Sequence, residues 1–135
     1  MTPDELRAVP LLAGVSATGL ERLAAAGAEI GCEPGQVLVV PGDAGSGMYV
    51  ILEGTVRVEM RGGMHVELGE GNFFGEAALL APSAVRGARV RAATAARCLS
   101  VPRDDFVALV ESEPSLALEM LRELARRMAD TSLDD

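Results

Sequence analysis

A glycine, a glutamate and an arginine in the stretch from Phe73 to Ala92, FFGEAALLAPSAVRGARVRA, have the types and spacing to hold an anion. Gly75 has no Cβ, so a ligand can approach the backbone there. The short helix-prone run Ala77-Ala78-Leu79-Leu80 comes next, and its first turn would point unpaired N–H groups and a partial positive charge at the same place. Arg86 stands ten residues beyond Glu76 and brings a planar, permanently charged fork suited to a phosphate. Backbone N–H groups from Gly75 to Ala77 and near Gly87 would take the remaining phosphate oxygens. Glu76 is repelled by a phosphate unless it accepts from a hydroxyl, and a sugar supplies one. The stretch therefore reads as a site for a phosphorylated ribose. A plainer reading uses the same residues: FGE as a turn between two barrel strands, Glu76 as a helix N-terminal charge, and Arg86 as a solvated loop residue.

The elements that must position these groups are legible around them. Short β-type runs separated by glycine cover Val37 to Val40, Met48 to Leu52, Thr55 to Met60, Met64 to Leu68, Ala88 to Ala93 and Arg97 to Val101. Pro34-Gly35, Pro41-Gly42-Asp43, Glu53-Gly54, Gly62-Gly63 and Gly69-Glu70-Gly71 punctuate them. Strands at intervals of roughly 8–12 residues predict an antiparallel sandwich or barrel. In Thr55 to Met60, Val56 and Val58 share one face and Arg57 and Glu59 the other, so one face lines an interior. Helices flank this part. Thr2-Pro3-Asp4-Glu5 opens a short one that carries Leu6 and Val9 to the break at Pro10, and Ser16 caps a second from Ala17 to Ala26 with Gly27 as its stop. Arg103 to Val110 is a third. Pro114 opens a longer fourth, with Leu116, Met120, Leu121, Leu124, Ala125 and Met128 as an apolar stripe.

The chain has 135 residues, 49% of them apolar, enough for one core built from Val, Leu, Ile, Ala and Met, since there are three Phe, one Tyr and no Trp. A net charge of −8, with no basic segment, argues against direct contact with nucleic acid. Cys32 and Cys98 form no C-x-x-C pair, and the beginning MTPDELRAVP has neither a basic n-region nor an apolar run of signal-peptide length. The expectation is a cytoplasmic chain with reduced thiols and no membrane partner. No stretch approaches the roughly 20 apolar residues that cross a bilayer. His65 is the one histidine, which speaks against the His and carboxylate cluster of a metal-dependent jelly-roll enzyme. No paired nucleophile and base stand out, so catalysis is not expected. Asp43, Asp104 and Asp105 read as turn and cap residues.

Phe74-Gly75-Glu76 at one end and Arg86-Gly87-Ala88-Arg89-Val90-Arg91-Ala92 at the other resemble the phosphate-binding cassette of the cyclic nucleotide-binding domain family. The stretch VLVVPGDAGSGMYVILEGTVRV is similar to the first half of that family's β roll, so the resemblance spans essentially the whole chain. Leu124 to Ser132, with a Thr-Ser pair after two arginines, resembles the same stretch of the catabolite activator protein-like sensor domains. One position departs, because Gly87 stands where members often carry Ser, Thr or Ala.

The resemblance implies a mainly β fold with flanking helices. In outline this is an antiparallel β jelly roll or barrel with short N-terminal helices (1–30), a β roll (31–102) holding a cassette helix within 73–92, and C-terminal helices acting as a lid (103–135). It implies a single regulatory or sensor domain for a cyclic nucleotide, bound by Gly75, Glu76, Ala77, Arg86 and Gly87. Thr131 and Ser132 would contact the base, the serine from across a homodimer formed by the C-terminal helix. A hydroxyl at the position of Gly87 is what the family often uses for guanine, so its absence implies cyclic AMP rather than cyclic GMP. Binding would signal by movement of the last helix to an effector that this sequence does not encode. Two other readings share the fold: an interaction or oligomerisation module that binds no nucleotide, and the sensor half of a truncated transcription regulator.

Overall fold

The computed structural model describes residues 1–40, 47–75 and 88–132. The expected turn at Pro41-Gly42-Asp43 and the expected cassette helix at 77–80 lie outside them. Among the described residues, eight strands form two four-stranded antiparallel sheets, with the order β1-β8-β3-β6 in the first and β2-β7-β4-β5 in the second. The strands are β1 Ala28–Cys32, β2 Val37–Val39, β3 Gly47–Glu53, β4 Val56–Glu59, β5 His65–Leu68, β6 Phe73–Phe74, β7 Arg89–Ala92 and β8 Ala96–Pro102. The two sheets face each other and do not close on themselves. Of the two architectures left open by strand spacing, the chain adopts the open roll rather than the barrel. The strands Ala28–Cys32 and Phe73–Phe74 add two to the six runs expected; the first pairs with β8 from Ala28↔Ser100 to Cys32↔Ala96.

Alternation along β3 explains the layering. Met48, Val50 and Leu52 point one way, into a core shared with the helices, while Ile51 points the other way, into the core between the sheets. Strand β8 repeats the pattern with Leu99 and Val101 on the helix side and Cys98 on the inner side, and β6 does so with Phe73 and Phe74. The centre of the first sheet is thus buried on both faces, which is why Met48 to Leu52 of β3 reads as an unbroken apolar run. The second has one buried face. In β4, Val56 and Val58 pack inward with Leu68 and Val90, while Arg91 reaches Glu59 across the neighbouring strand at 3.0 Å.

The chain passes between sheets at Gly54, whose φ is +86°. A Cβ there would lie 2.4 Å from the carbonyl oxygen of Ala95 and 2.8 Å from Cα of Ala96, so glycine is required by space as well as by conformation. Thr94 Oγ1 accepts from the Thr55 N–H at 3.0 Å and ties the two crossings together. Near the start of β8, an inner strand of the first sheet, Arg97 is bonded to Glu29 of β1 and, at 3.3 Å, to Glu53 of β3. Cys32 and Cys98, both buried and free, lie on adjacent strands. Burial, the neighbouring Cys32 sulfur and its hydrogen bond push the Cys98 thiol up to about 12.

Four α-helices among the described residues cover the first sheet: α1 Pro3–Arg7, α2 Ala17–Ala26, α3 Arg103–Ser112 and α4 Pro114–Ser132. Leu6, Leu20, Leu23, Phe106, Leu109, Leu116 and Met120 are their core contacts. The stripe expected on α4 is divided. Leu116 and Met120 are buried and Leu124 packs beside them, but Leu121 and Met128 are 62% and 72% exposed on another side. Glu113, between α3 and α4, caps α2 from a distance: its Oε1 accepts the Ser16 N–H at 2.5 Å and its Oε2 the Ser16 hydroxyl at 3.0 Å. Ser115 Oγ donates to the Gly14 carbonyl at 2.8 Å, so the α3–α4 junction is fastened to the start of α2 at two points.

Candidate functional site

Two buried phenylalanines fix the start of the expected cassette. Phe73 and Phe74 point to opposite faces of the first sheet, and burying each is worth about 1.5–3 kcal/mol relative to leaving it exposed. Phe74 also stacks on Tyr49 of β3, with centroids 4.9 Å apart and planes 11° apart. Gly75 follows immediately with φ +89°, a conformation that costs a residue with a side chain about 1–2 kcal/mol. The positive φ makes Gly75 a turn residue, as the plainer reading of FGE has it, and leaves the proposed ligand approach a separate matter.

Glu76, Ala77, Arg86 and Gly87 lie outside the described residues. The chain is next described at Ala88, one residue before β7, which holds an inner position of the second sheet between β2 and β4. The cassette segment thus joins the edge strand of one sheet to an inner strand of the other.

The register carries the site further along the second sheet. Strand β4 pairs with β7 through Val58↔Val90 and Glu59↔Arg89, and with β5 through Val58↔Val66 and Glu59↔His65. Continuing each ladder by one step brings Met60 beside Ala88 on one side and Met64 on the other, where the Met60 N–H donates to the Met64 carbonyl at 2.7 Å. Alternation turns Met60, Met64 and Val66 to the same inner face as Val58. That face is closed by the core at Val58 but open at the hairpin end, where Met64 is 50% and Val66 43% exposed. An apolar, solvent-open wall therefore adjoins the point where the cassette segment rejoins the sheet. His65 lies on β5 and is exposed.

Helix α4 reaches the other side of the segment. Arg127 Nη2 donates to Asn72 Oδ1 and to the Phe73 carbonyl, both at 2.6 Å, and its guanidinium lies 4.6 Å above the Phe73 ring. Its Nε donates to Glu123 Oε2 at 3.0 Å, one turn earlier. Desolvation acts to raise the Glu123 carboxyl, but hydrogen bonds from Arg127 and Arg126 outweigh it and hold the group below its ordinary value. Arg122 and Arg126 point to solvent and pair with Glu119 and Glu123. Thr131 and Ser132 lie in the last turn of α4, one turn beyond Arg127; their side chains fall outside the described residues.

Neither Arg127 nor Asn72 was singled out by sequence reasoning. A signal for the arginine exists. Positions 116, 120, 124 and 127 share one helical face, so the second of two adjacent arginines follows the buried residues inward. Among the described residues no three His, Cys, Asp or Glu side chains gather as a metal site, and no helix is long and apolar enough to cross a membrane.

The profile of the cyclic nucleotide-binding domain family matches residues 30–113, more than half of the chain. A cyclic nucleotide-gated potassium channel of Rhizobium etli is 43% identical over 91 residues, which are 67% of this chain and 25% of the channel. The catabolite activator protein of Thermus thermophilus superposes with a TM-score of 0.74 at 28% identity, over 93% of this chain and 61% of that one. A structure from a cyclic-GMP-dependent signalling pathway that regulates bacterial phytopathogenesis superposes with a TM-score of 0.68 at 30% identity, over 86% and 95% of the two chains. The chain spans a quarter or less of the length of the first curated relatives it matches.

Proposed function

The chain belongs to the cyclic nucleotide-binding domain family, and from that premise we propose that this regulatory domain takes cyclic AMP as its ligand and signals by moving α4. The observation that carries the reading is the seating of α4 against β6, two residues before the Gly75 turn into the cassette, opposite an apolar wall open to solvent. A cyclic phosphate would be held by the backbone at Gly75 to Ala77 and near Gly87 and by Arg86, with Glu76 accepting from the ribose 2′-hydroxyl. The purine would lie against Met60, Met64 and Val66, with Thr131 and Ser132 of α4 closing over it. An apolar wall does not choose between adenine and guanine. The choice of cyclic AMP rests on Gly87, which has no hydroxyl to offer guanine.

Movement of α4 follows if the nucleotide makes better contacts with the closed helix than with the open one. The effector is a further domain or a separate protein, in keeping with the small share of its relatives that the chain spans, and the setting is cytoplasmic. The domain's work is binding rather than catalysis. Leu118, Leu121 and Met128 are exposed at helical spacing on α4, and a second copy of the chain packed along them would form the homodimer that brings the Ser132 of each helix to the other's site.

The test is calorimetric titration of the wild-type domain and Arg86→Ala with cyclic AMP and cyclic GMP. Removing one charged phosphate contact should cost about 1.5–3 kcal/mol, a loss of tenfold to a hundredfold in affinity. Equal affinity in the two proteins removes Arg86 from the site. An absence of binding by the wild type would make the chain an interaction module on the same fold.

A further inference from the structure

We infer that Arg127 is the positioning residue that couples α4 to the cassette, so that the helix follows the cassette through one guanidinium; this rests on the nucleotide reading above. Among the described residues, strand β6 is the outermost of its sheet and has a strand partner, β3, on one side only. Carbonyls on the free side of such a strand need a donor from elsewhere. Arg127 supplies one at Phe73, and its second bond falls on Asn72 Oδ1, which itself accepts the Phe73 N–H at 3.1 Å. The guanidinium thus holds the side chain of one residue and the carbonyl of the next, and covers the ring of the latter, just ahead of Gly75.

Glu123 fixes the approach. It bonds Nε of Arg127 from one turn back, which leaves the outer edge of the fork for Asn72 and Phe73. The arginine side chain is 25% exposed, against 63% for the adjacent Arg126, so the two neighbours have separate roles. Hydrogen bonds of this length do not survive displacements much beyond about half an ångström to one ångström without weakening steeply. A shift of the Phe73-Phe74-Gly75 root therefore either draws α4 with it or breaks the contact. Lysine cannot replace the residue, since a point charge on a flexible stem lacks both the fork and the plane that lies on Phe73.

The test combines Arg127→Gln, Arg127→Lys and Asn72→Ala with the double variant Arg127→Gln/Asn72→Ala. Amide exchange of residues 120–132 is read with and without saturating cyclic AMP, and affinity is read by titration. Without nucleotide, Arg127→Gln and Arg127→Lys should speed exchange there roughly tenfold, the equivalent of about 1.4 kcal/mol. Asn72→Ala should add little once Arg127 is gone. With nucleotide, the wild-type helix should gain protection, and the Arg127 variants should lose most of that gain and bind several-fold more weakly. Unchanged exchange in the nucleotide-free variants overturns the inference, as does a full protection gain and wild-type affinity in them. If the wild type binds no nucleotide, the ligand reading fails by itself, and the nucleotide-free exchange alone decides whether Arg127 holds the helix.

Discussion

Replacing Glu113 by alanine should destabilise the domain by about 1–2 kcal/mol, although the residue lies on neither sheet. Its carboxylate accepts from the Ser16 N–H at 2.5 Å and from the Ser16 hydroxyl at 3.0 Å, 97 residues away in sequence. Charge-assisted bonds are worth about 1.5–3 kcal/mol each when dry, but both partners here are reached by water, which reduces the pair to about 1 kcal/mol. The negative charge at the start of α2 adds about 0.3–1 kcal/mol. Ser16 keeps its own bond from the Gly19 N–H at 3.0 Å, so the local cap survives and only the contribution of Glu113 is lost. Urea unfolding should show a lowered midpoint with an unchanged slope, and the melting temperature should fall by roughly 4–8 °C. Glu113→Gln, which keeps an acceptor and drops the charge, should fall between. Glu111→Ala, two residues away and exposed, should stay within about 0.5 kcal/mol of wild type. If Glu113→Ala costs no more than that control, the carboxylate does not fasten the α3–α4 junction to the start of α2, and that account of the two bonds is wrong.

Two further outcomes are expected. Gly54→Ala should cost about 2–4 kcal/mol, from a φ of +86° together with a Cβ 2.4 Å from a backbone oxygen. Gly35→Ala, at φ +87° with nothing within 4 Å of its Cβ, should cost only the conformational part of about 1–2 kcal/mol; equal losses in thermal melts would refute the steric argument. The thiol of Cys98, pushed up to about 12, should resist alkylation at pH 8 in the folded domain and react fully in denaturant. Its folded value is raised, so its contribution to stability is whole below the ordinary 9.0 and is lost as pH rises from there toward about 12. Rapid modification of the native protein, or stability that is flat across that range, would count against the burial described.

Local pattern was enough to place most strands, because Val56-Arg57-Val58-Glu59 alternates and glycines mark the ends of each run. It was not enough for Ala28–Cys32, AEIGC, where alanine, glutamate and glycine have little preference for a strand and the pairing partner lies far along the chain on β8. The openness of the roll could not be read either, since closure depends on which distant strands pair. On α4 the single stripe expected from composition mixed two faces: Leu116 and Met120 belong to the core, and Leu121 and Met128 do not. Of the site, the missing Cβ of Gly75 was legible, while its positive φ is seen only in the fold. The role of Arg127 was not legible, because Asn72 lies 55 residues upstream and only the packed helix brings the two together.

The two inner strands of the first sheet, β3 and β8, make a partition wall. Helices occupy one room and the space between the sheets the other, with Met48, Val50, Leu99 and Val101 buried on the first side and Ile51 and Cys98 on the second. The short strand β6 stands at one edge of that wall, with Phe73 in one room and Phe74 in the other, so a two-residue segment is anchored in both at once.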